Sequence, residues 1–123
     1  MRALVCLFWL LLCAPALAQV ATVRSGEHDV FSRLVITTPQ PTDWSFGRTE
    51  DGYELSLGGA DWRYDLTGVF DLIPRDRLAS IWADPETGHL RLGIGCACHA
   101  VPFQFRPGIV VIDLKDGAPP KDS

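Results

Sequence analysis

The chain has few of the residues on which catalytic and metal sites are usually built. It contains four cysteines, three histidines and one methionine in 123 residues. No Gly-x-Ser-x-Gly, His-Glu-x-x-His or glycine-rich phosphate loop occurs, so the common signatures of serine hydrolases, zinc proteases and nucleotide-binding proteins are missing. A small domain without them is more typical of a binding module. We therefore predict no catalytic residue, no metal and no cofactor.

Basic residues are also in the minority. The chain carries 11 Lys and Arg against 15 Asp and Glu, a formal net charge of −4. General binding to nucleic acid or anionic lipid requires a basic surface. This composition disfavours nucleic acid as a partner and leaves small uncharged or cationic ligands open.

The longest hydrophobic run lies at the N terminus. Arg2 precedes the apolar run Leu4–Leu12, and Ala16-Leu17-Ala18 has the small-x-small pattern of a cleavage site. The run is shorter than the roughly 20 residues that span a bilayer, and Pro15 interrupts the apolar segment. A lipid-attachment cysteine would need a small residue before it, and the leader has a leucine there. We predict that residues 1–18 are a cleaved signal peptide, which makes the protein periplasmic with no stable membrane insertion afterwards.

No long segment shows helical periodicity, and alternation at every second residue takes its place. Tyr53, Leu55 and Leu57 alternate with Glu54 and Ser56, which is typical of a strand with one face toward a core. Turn-forming residues separate such segments. The predicted strands are Val20–Arg24, Phe31–Thr37, Trp44–Arg48, Tyr53–Leu57, Asp61–Leu66, Leu78–Ala83, the residues from Leu90 onward, Val101–Phe105 and Ile109–Leu114.

Three turn signals separate these strands. Ser25-Gly26-Glu27 is predicted to end the first strand. Glu50-Asp51-Gly52 is predicted to form the tight turn of a hairpin between Trp44–Arg48 and Tyr53–Leu57, because both residues of its Asp-Gly pair can take positive φ. Pro107-Gly108 suits the centre of a type II turn. The irregular segment around Val69–Leu72 is predicted to hold a short helical turn.

The pattern as a whole predicts one all-β domain. Ile109–Ile112 is apolar on both faces and is predicted to be a central strand covered on both sides. The predicted fold is a small β-sandwich of two antiparallel or mixed sheets with at most one short helical turn. It occupies residues 19–115, and residues 116–123 are predicted to be a disordered tail or the start of a linker.

The string Cys96-Ala97-Cys98-His99 holds the only cysteines that remain after leader cleavage. One residue separates them, whereas haem attachment needs two and zinc-binding pairs usually two to four. If the strand from Leu90 runs unbroken, Cys96 and Cys98 point into the core and His99 points away. A disulfide between Cys96 and Cys98 is the leading prediction. Buried reduced thiols, metal or haem binding, and a redox-active or intermolecular disulfide remain as alternatives.

Three tryptophans lie outside the leader, and strand alternation favours a core position for each of them. Two of them, Trp44 and Trp62, have an arginine nearby in the sequence, Arg48 and Arg63. An exposed indole beside a guanidinium would suit a sugar or a peptide carboxylate. These four residues are the predicted ligand-binding residues.

Several of these segments resemble the AMIN domain, the non-catalytic N-terminal module of many periplasmic amidases and secretin-type proteins. The matching residues are Gly26–Asp29, Phe31–Ile36, Tyr53–Leu57 and Gly108–Leu114. The resemblance implies a β-sandwich that localises an attached protein at the cell envelope, usually through peptidoglycan. It implies no catalytic residue.

Three functions follow from these patterns. The first is a non-catalytic module of the cell envelope that contacts peptidoglycan or a periplasmic protein. The alternative is a periplasmic thiol or metal-binding protein that uses Cys96-Ala97-Cys98-His99. The third is a structural domain that pairs with another chain by strand addition.

The leader prediction is testable on the expressed protein. Export with cleavage yields a protein that begins at Gln19, because the small-x-small pattern ends at Ala18. Intact-mass spectrometry of protein from the periplasmic fraction measures this directly. Recovery of protein that retains Met1 would contradict the prediction.

Overall fold

The computed structural model describes residues 18–59 and 61–120, so the predicted leader lies outside the described residues except for Ala18. Two β-sheets pack face to face around a shared core, which confirms the predicted all-β fold. The strands of the described ranges are β1 (Gln19–Glu27), β2 (Phe31–Thr37), β3 (Trp44–Arg48), β4 (Gly52–Leu57), β5 (Trp62–Asp65), β6 (Leu78–Ala83), β7 (Leu90–Ile94), β8 (Cys98–Arg106) and β9 (Ile109–Asp116).

The helical content of the described residues is one short turn, α1 (Val69–Leu72), where the sequence predicts it. Its Val69 is fully buried against the core. No helix within the described ranges has the length and apolar character needed to cross a bilayer.

One sheet has five strands in the order β5-β1-β2-β9-β8, and the other has four in the order β3-β4-β7-β6. Neighbouring strands are antiparallel except β1 and β5, which are parallel. The five-stranded sheet is therefore mixed. β9 lies between β2 and β8, so Ile109–Ile112 belongs to an interior strand as predicted. The other sheet covers only one of its faces, the side of Val110 and Ile112, so the prediction of cover on both sides is wrong.

Alternation along the strands produces the core, because every second side chain points between the sheets. Burial of each large aliphatic side chain stabilises the fold by about 1.5–3 kcal/mol. The fully buried leucine and isoleucine residues of the described ranges that fill this space are Leu34, Ile36, Leu55, Leu78, Leu90, Leu92, Ile112 and Leu114.

The first strand is longer than predicted. Ser25-Gly26-Glu27, expected to form a turn, continues β1 and pairs with residues 32–34 of β2. The chain reverses direction directly after Glu27, where the His28 amide donates to the Phe31 carbonyl at 2.9 Å. The prediction was wrong because pairing with a neighbouring strand outweighs the weak turn preference of serine and glycine.

Two predicted glycine turns have different outcomes. Gly108 has a φ of 87°, as the second central residue of a type II turn requires. Neither Asp51 nor Gly52 is among the residues with positive φ, so the predicted backbone conformation of this pair is wrong. The predicted hairpin turn itself is present, since β3 pairs with β4 and the Thr49 amide donates to the Gly52 carbonyl at 2.9 Å. Gly52 is instead the first residue of β4, where a Cβ atom would overlap the Leu92 carbonyl oxygen and lie 3.1 Å from Ile94 Cγ1. Glycine is needed there for close approach of two backbones.

A pair of glycine substitutions tests this packing. Gly52→Ala should lower the free energy of unfolding by about 1–3 kcal/mol, since the added methyl must displace β7. The matched control is Gly47→Ala in β3, where a Cβ meets nothing within 4 Å. Urea denaturation followed by fluorescence measures both. An equal effect at the two positions would contradict the close approach of β4 and β7.

Candidate functional site

One surface with possible binding function is the side of the five-stranded sheet that faces away from the core. We call it the outer face. Successive side chains of a strand point to opposite faces, so the neighbours of the core-facing residues belong to the outer face. The register of the paired strands shows which residues share it. These residues are Val20, Thr22, Arg24, Gly26, Phe31, Arg33, Val35, Thr37, Arg63, Asp65, His99, Val101, Phe103, Arg106, Ile109, Val111, Asp113 and Lys115.

The outer face is basic although the chain is acidic. It carries five basic side chains and two acidic ones, a local excess of three positive charges against −4 for the whole chain. The basic residues are Arg24, Arg33, Arg63, Arg106 and Lys115, and the acidic ones are Asp65 and Asp113. Such an uneven distribution of charge makes a protein approach an anionic surface with its basic side first.

An ion pair lies at the centre of this face. Arg33 Nε donates to Asp113 Oδ1 at 2.7 Å, and a second guanidinium nitrogen donates to Oδ2 at 2.9 Å. Asp113 is buried and the Arg33 side chain is 38% exposed. The hydrogen bond to Asp113 raises the pKa of Arg33, so the guanidinium stays charged. The bidentate pairing fixes its plane.

Aromatic rings flank this guanidinium. The Arg33 guanidinium carbon lies 5.3 Å from the centre of the Phe31 ring and 5.8 Å from that of Phe103. His28 stacks on Phe31 with ring centres 4.3 Å apart. Phe103 is 38% exposed, and its neighbour Phe105 is exposed further along the same edge strand. The arrangement presents flat apolar surfaces next to fixed positive charge.

The cysteines form a second notable feature, at one end of the sandwich. Cys98 is the first residue of β8, and exposed Cys96 lies in the connection before it. Their sulfur atoms are in direct contact and their Cα atoms are 5.3 Å apart, within the range of a disulfide. This contact fits the predicted pairing of the two cysteines.

The predicted continuation of the strand from Leu90 to Cys98 is wrong. β7 ends at Ile94, because the chain leaves the four-stranded sheet there and crosses to the five-stranded sheet. Gly95 begins this crossing, and its amide donates to the Arg77 carbonyl at 3.0 Å. Neither cysteine is therefore in the core, since Cys96 is exposed and Cys98 is only half-buried.

His99 lies on the other side of β8 from Cys98. It pairs with Lys115 on the outer face, and its Nδ1 donates to the Gly117 carbonyl at 2.9 Å. His99 therefore lies on the opposite side of β8 from Cys98, although the unbroken strand on which the sequence prediction depended does not form.

A residue that the sequence placed in the tail belongs to the cysteine cluster instead. Asp116 is the last residue of β9 and lies directly opposite Cys98 in the antiparallel pairing. The ligand atoms of Cys96, Cys98 and Asp116 all lie within 4.8 Å of one another. The tail prediction therefore began one residue too early. The one available signal was the alternation of Ile112, Leu114 and Asp116 on the same strand face.

Asp116 is held by Arg77. The arginine donates from Nε to Oδ1 at 2.8 Å and from a terminal nitrogen to Oδ2 at 3.0 Å. It also bonds Glu27 at 3.2 Å and the Asp29 carbonyl at 3.0 Å, which joins β9 to the β1–β2 turn. The hydrogen bond from Arg77 lowers the pKa of Asp116. Asp116 is thus an oriented carboxylate.

A groove of about 430 Å³ runs beside the cysteines. Its walls come from the β3–β4 loop, the end of β7, the cysteine loop and the residues after β9. Among its lining residues are Arg48, Asp51, Tyr53, Cys96 and Pro119. The cysteine pair is therefore reachable from solvent.

The first predicted tryptophan and arginine pair lies on β3. Trp44 is half-buried against the core, and its Nε1 donates to Gln104 Oε1 at 3.1 Å. Arg48 is exposed, four residues further along the strand, which separates it from Trp44 by about 13 Å of extended chain. The structure does not bring this indole and this guanidinium together.

The second predicted pair is divided between the faces of β5. Trp62 packs on the core side, and its Nε1 donates to the Gly58 carbonyl at 2.8 Å. Arg63 is exposed on the outer face. The role of Trp44, Arg48, Trp62 and Arg63 in ligand binding stays a prediction. Arg63 does lie on the outer face, whereas the other basic residues and the phenylalanines of this face were missed. Those residues come from several strands, and their proximity depends on the order of the strands in the sheet.

Arg77→Gln should destabilise the fold at neutral pH and less so in acid. The pKa of Asp116 is lowered below its usual 3.8 in the folded protein, chiefly by Arg77. The pair therefore stabilises the fold above that value, and the contribution is lost as the pH falls through the lowered pKa. The negative charges of Glu27 and Asp76 also raise the pKa of the Arg77 guanidinium.

Urea midpoints of the wild type and the Arg77→Gln variant, measured at about pH 7 and about pH 2, test this dependence. Arg63→Gln is the control for loss of one exposed positive charge. The same destabilisation by Arg77→Gln at both pH values would contradict the ion-pair explanation.

Comparison with known proteins identifies no relative of this chain. No family model matches the chain, and neither a curated protein nor a solved structure matches it. The resemblance to the AMIN domain therefore rests on the residues themselves. They fall in β1 and the turn after it, in β2, in β4, and in β9 with the glycine before it.

Proposed function

We propose that this protein is a non-catalytic binding module of the cell envelope that contacts peptidoglycan through its outer face. The observation that carries the proposal is the local excess of three positive charges on this face of an acidic chain. The cationic face surrounds the Arg33–Asp113 pair and its two phenylalanine rings. The periplasmic location proposed here rests on the leader pattern of residues 1–18.

The chemistry of the outer face suits a polymer of sugars and acidic peptides. Apolar sugar faces stack on aromatic rings, and Phe103 offers such a ring at the surface. Carboxylates of the peptide stems suit guanidinium groups, of which Arg24 and Arg106 are exposed. A flat face of this kind fits an extended polymer better than a small molecule, which usually needs a concave pocket.

Charge also favours this face over the rest of the surface. The chain as a whole is repelled by an anionic polymer, so binding requires that the basic side approach first. The outer face meets this requirement because it gathers five of the 11 Lys and Arg residues of the whole chain. Salt should weaken the contact, since exposed charges are screened over about 8–10 Å at physiological ionic strength. The resemblance to the AMIN domain implies the same class of ligand.

Co-sedimentation with insoluble peptidoglycan tests the proposal. The leaderless wild type should pellet with the polymer, and Phe103→Ala and Arg106→Ala should each lower the apparent affinity by about 5-fold or more, as expected when an aromatic or arginine contact of an interface is truncated. Leu72→Ala is the matched apolar control, because Leu72 is 67% exposed on α1. Arg48→Ala is the charge-matched control from the other sheet.

Three results would contradict the proposal. The first is no pelleting of the wild type above an acidic β-protein of similar size. The second is loss of binding with Arg48→Ala and not with Arg106→Ala, which would favour the β3 residues predicted from the sequence. The third is failure to bind the polymer together with capture of a defined periplasmic protein, which would make a protein the partner of this face.

A further inference from the structure

Cys96, Cys98 and Asp116 bring two sulfur atoms and a carboxylate, atom types that bind metals in proteins, to one end of the sandwich. All three lie within 4.8 Å of one another. Two of the residues are opposite each other in the β8–β9 pairing, and the third is two residues from Cys98 in the connecting loop. The Gly117 amide donates to the Ala97 carbonyl at 2.8 Å, which ties the loop to the end of β9. The cluster is thus built by backbone hydrogen bonds as well as by side chains.

We propose that the reduced cysteine pair and Asp116 together bind a thiophilic divalent cation, with Zn²⁺ as its representative. Two thiolates and a carboxylate belong to the ligand types that zinc prefers, and a tetrahedral ion keeps a fourth position for water. Exposed Cys96 at the side of the groove gives the ion access from solvent. This site differs from the one that the sequence suggested, because Asp116 replaces His99.

Arg77 is the residue that positions this site. It holds both oxygens of Asp116, and each oxygen keeps a second lone pair that the arginine does not use. A metal ligand anchored in this way is oriented before the ion arrives. Two thiolates, one carboxylate and one divalent ion leave a net charge of −1, which the Arg77 guanidinium offsets.

Metal binding depends on the oxidation state of the cysteines. A dithiol reductant opens the pair when its thiolate attacks the Cys96 sulfur, forms a mixed disulfide and releases the Cys98 thiolate. The second thiol of the reductant then closes its own disulfide and releases Cys96. Two electrons and two protons pass to the protein, and the ion displaces the two thiol protons when it binds. The oxidised pair lacks thiolates and leaves Asp116 as the sole anionic ligand of the three.

Anaerobic titration with Co²⁺, a spectroscopic substitute for Zn²⁺, tests the proposal on leaderless protein. Protein reduced with a phosphine should bind one Co²⁺ and show thiolate-to-cobalt charge-transfer absorption, which Zn²⁺ then abolishes by displacement. Oxidised protein should show no such absorption. Cys98→Ser should weaken the band strongly, and Asp116→Asn should weaken affinity by about 10- to 100-fold.

His99→Ala is the matched control, because His99 lies on the opposite side of β8, and it should bind Co²⁺ as the wild type does. Asp116→Glu should restore part of the affinity that Asp116→Asn loses. If circular dichroism shows that Asp116→Asn does not fold, Cys96→Ser, at an exposed position, takes its place in the test. This variant should weaken the same thiolate-to-cobalt absorption band. These readouts are spectroscopic, so they are independent of peptidoglycan binding.

Two outcomes would overturn the inference. One is the absence of charge-transfer absorption in fully reduced wild type, which would leave the cysteines as a structural pair. The other is loss of binding in His99→Ala with Asp116→Asn unchanged, which would mean that the histidine and not the carboxylate completes the site.

Discussion

The interior position of β9 is the constraint on which the remaining structure depends. Its core side contributes Val110, Ile112 and Leu114 to the sandwich. Its outer side places Asp113 opposite Arg33 on β2, and its last residue lies opposite Cys98 on β8. A strand with two neighbours has its backbone groups satisfied on both edges, so its side chains are held in fixed register. Both surfaces considered for binding share this one strand.

The distribution of charge separates the two surfaces chemically. On the outer face, Arg33 is paired, while other cations such as Arg24 and Arg106 are exposed to an approaching ligand. At the cysteine end, by contrast, Arg77 is committed to two carboxylates and two backbone carbonyls of the β1–β2 turn. Exposed cations serve attraction of an anionic polymer. A cation with its donors already engaged serves to orient its partners. The two surfaces therefore suit different ligands and can be tested separately.

The strand segments could largely be read from the sequence, whereas their contacts could not. Phe31–Thr37, Trp44–Arg48 and Leu78–Ala83 have the predicted bounds, because alternation is local and needs no knowledge of neighbours. Ser25-Gly26-Glu27 and Gly52 were misjudged, since partner strands decide whether such residues turn or extend. The clustering of Phe31, Arg33 and Phe103 depends on the order of strands in the sheet. No local pattern encodes that order.

In the β8–β9 hairpin, the turn could be predicted from the sequence, whereas the register of the two strands could not. The Pro107-Gly108 turn and the apolar strand after it determined by themselves that a hairpin forms, since proline and glycine have strong backbone preferences. Counting back from the two-residue turn would place Cys98 opposite Gly117. Only the tertiary structure decided that a register shift between Gln104 and Arg106 puts Asp116 there instead. The physical reason is that a one-residue shift exchanges the residues that face each other across the pair, and packing against the other sheet selects the register.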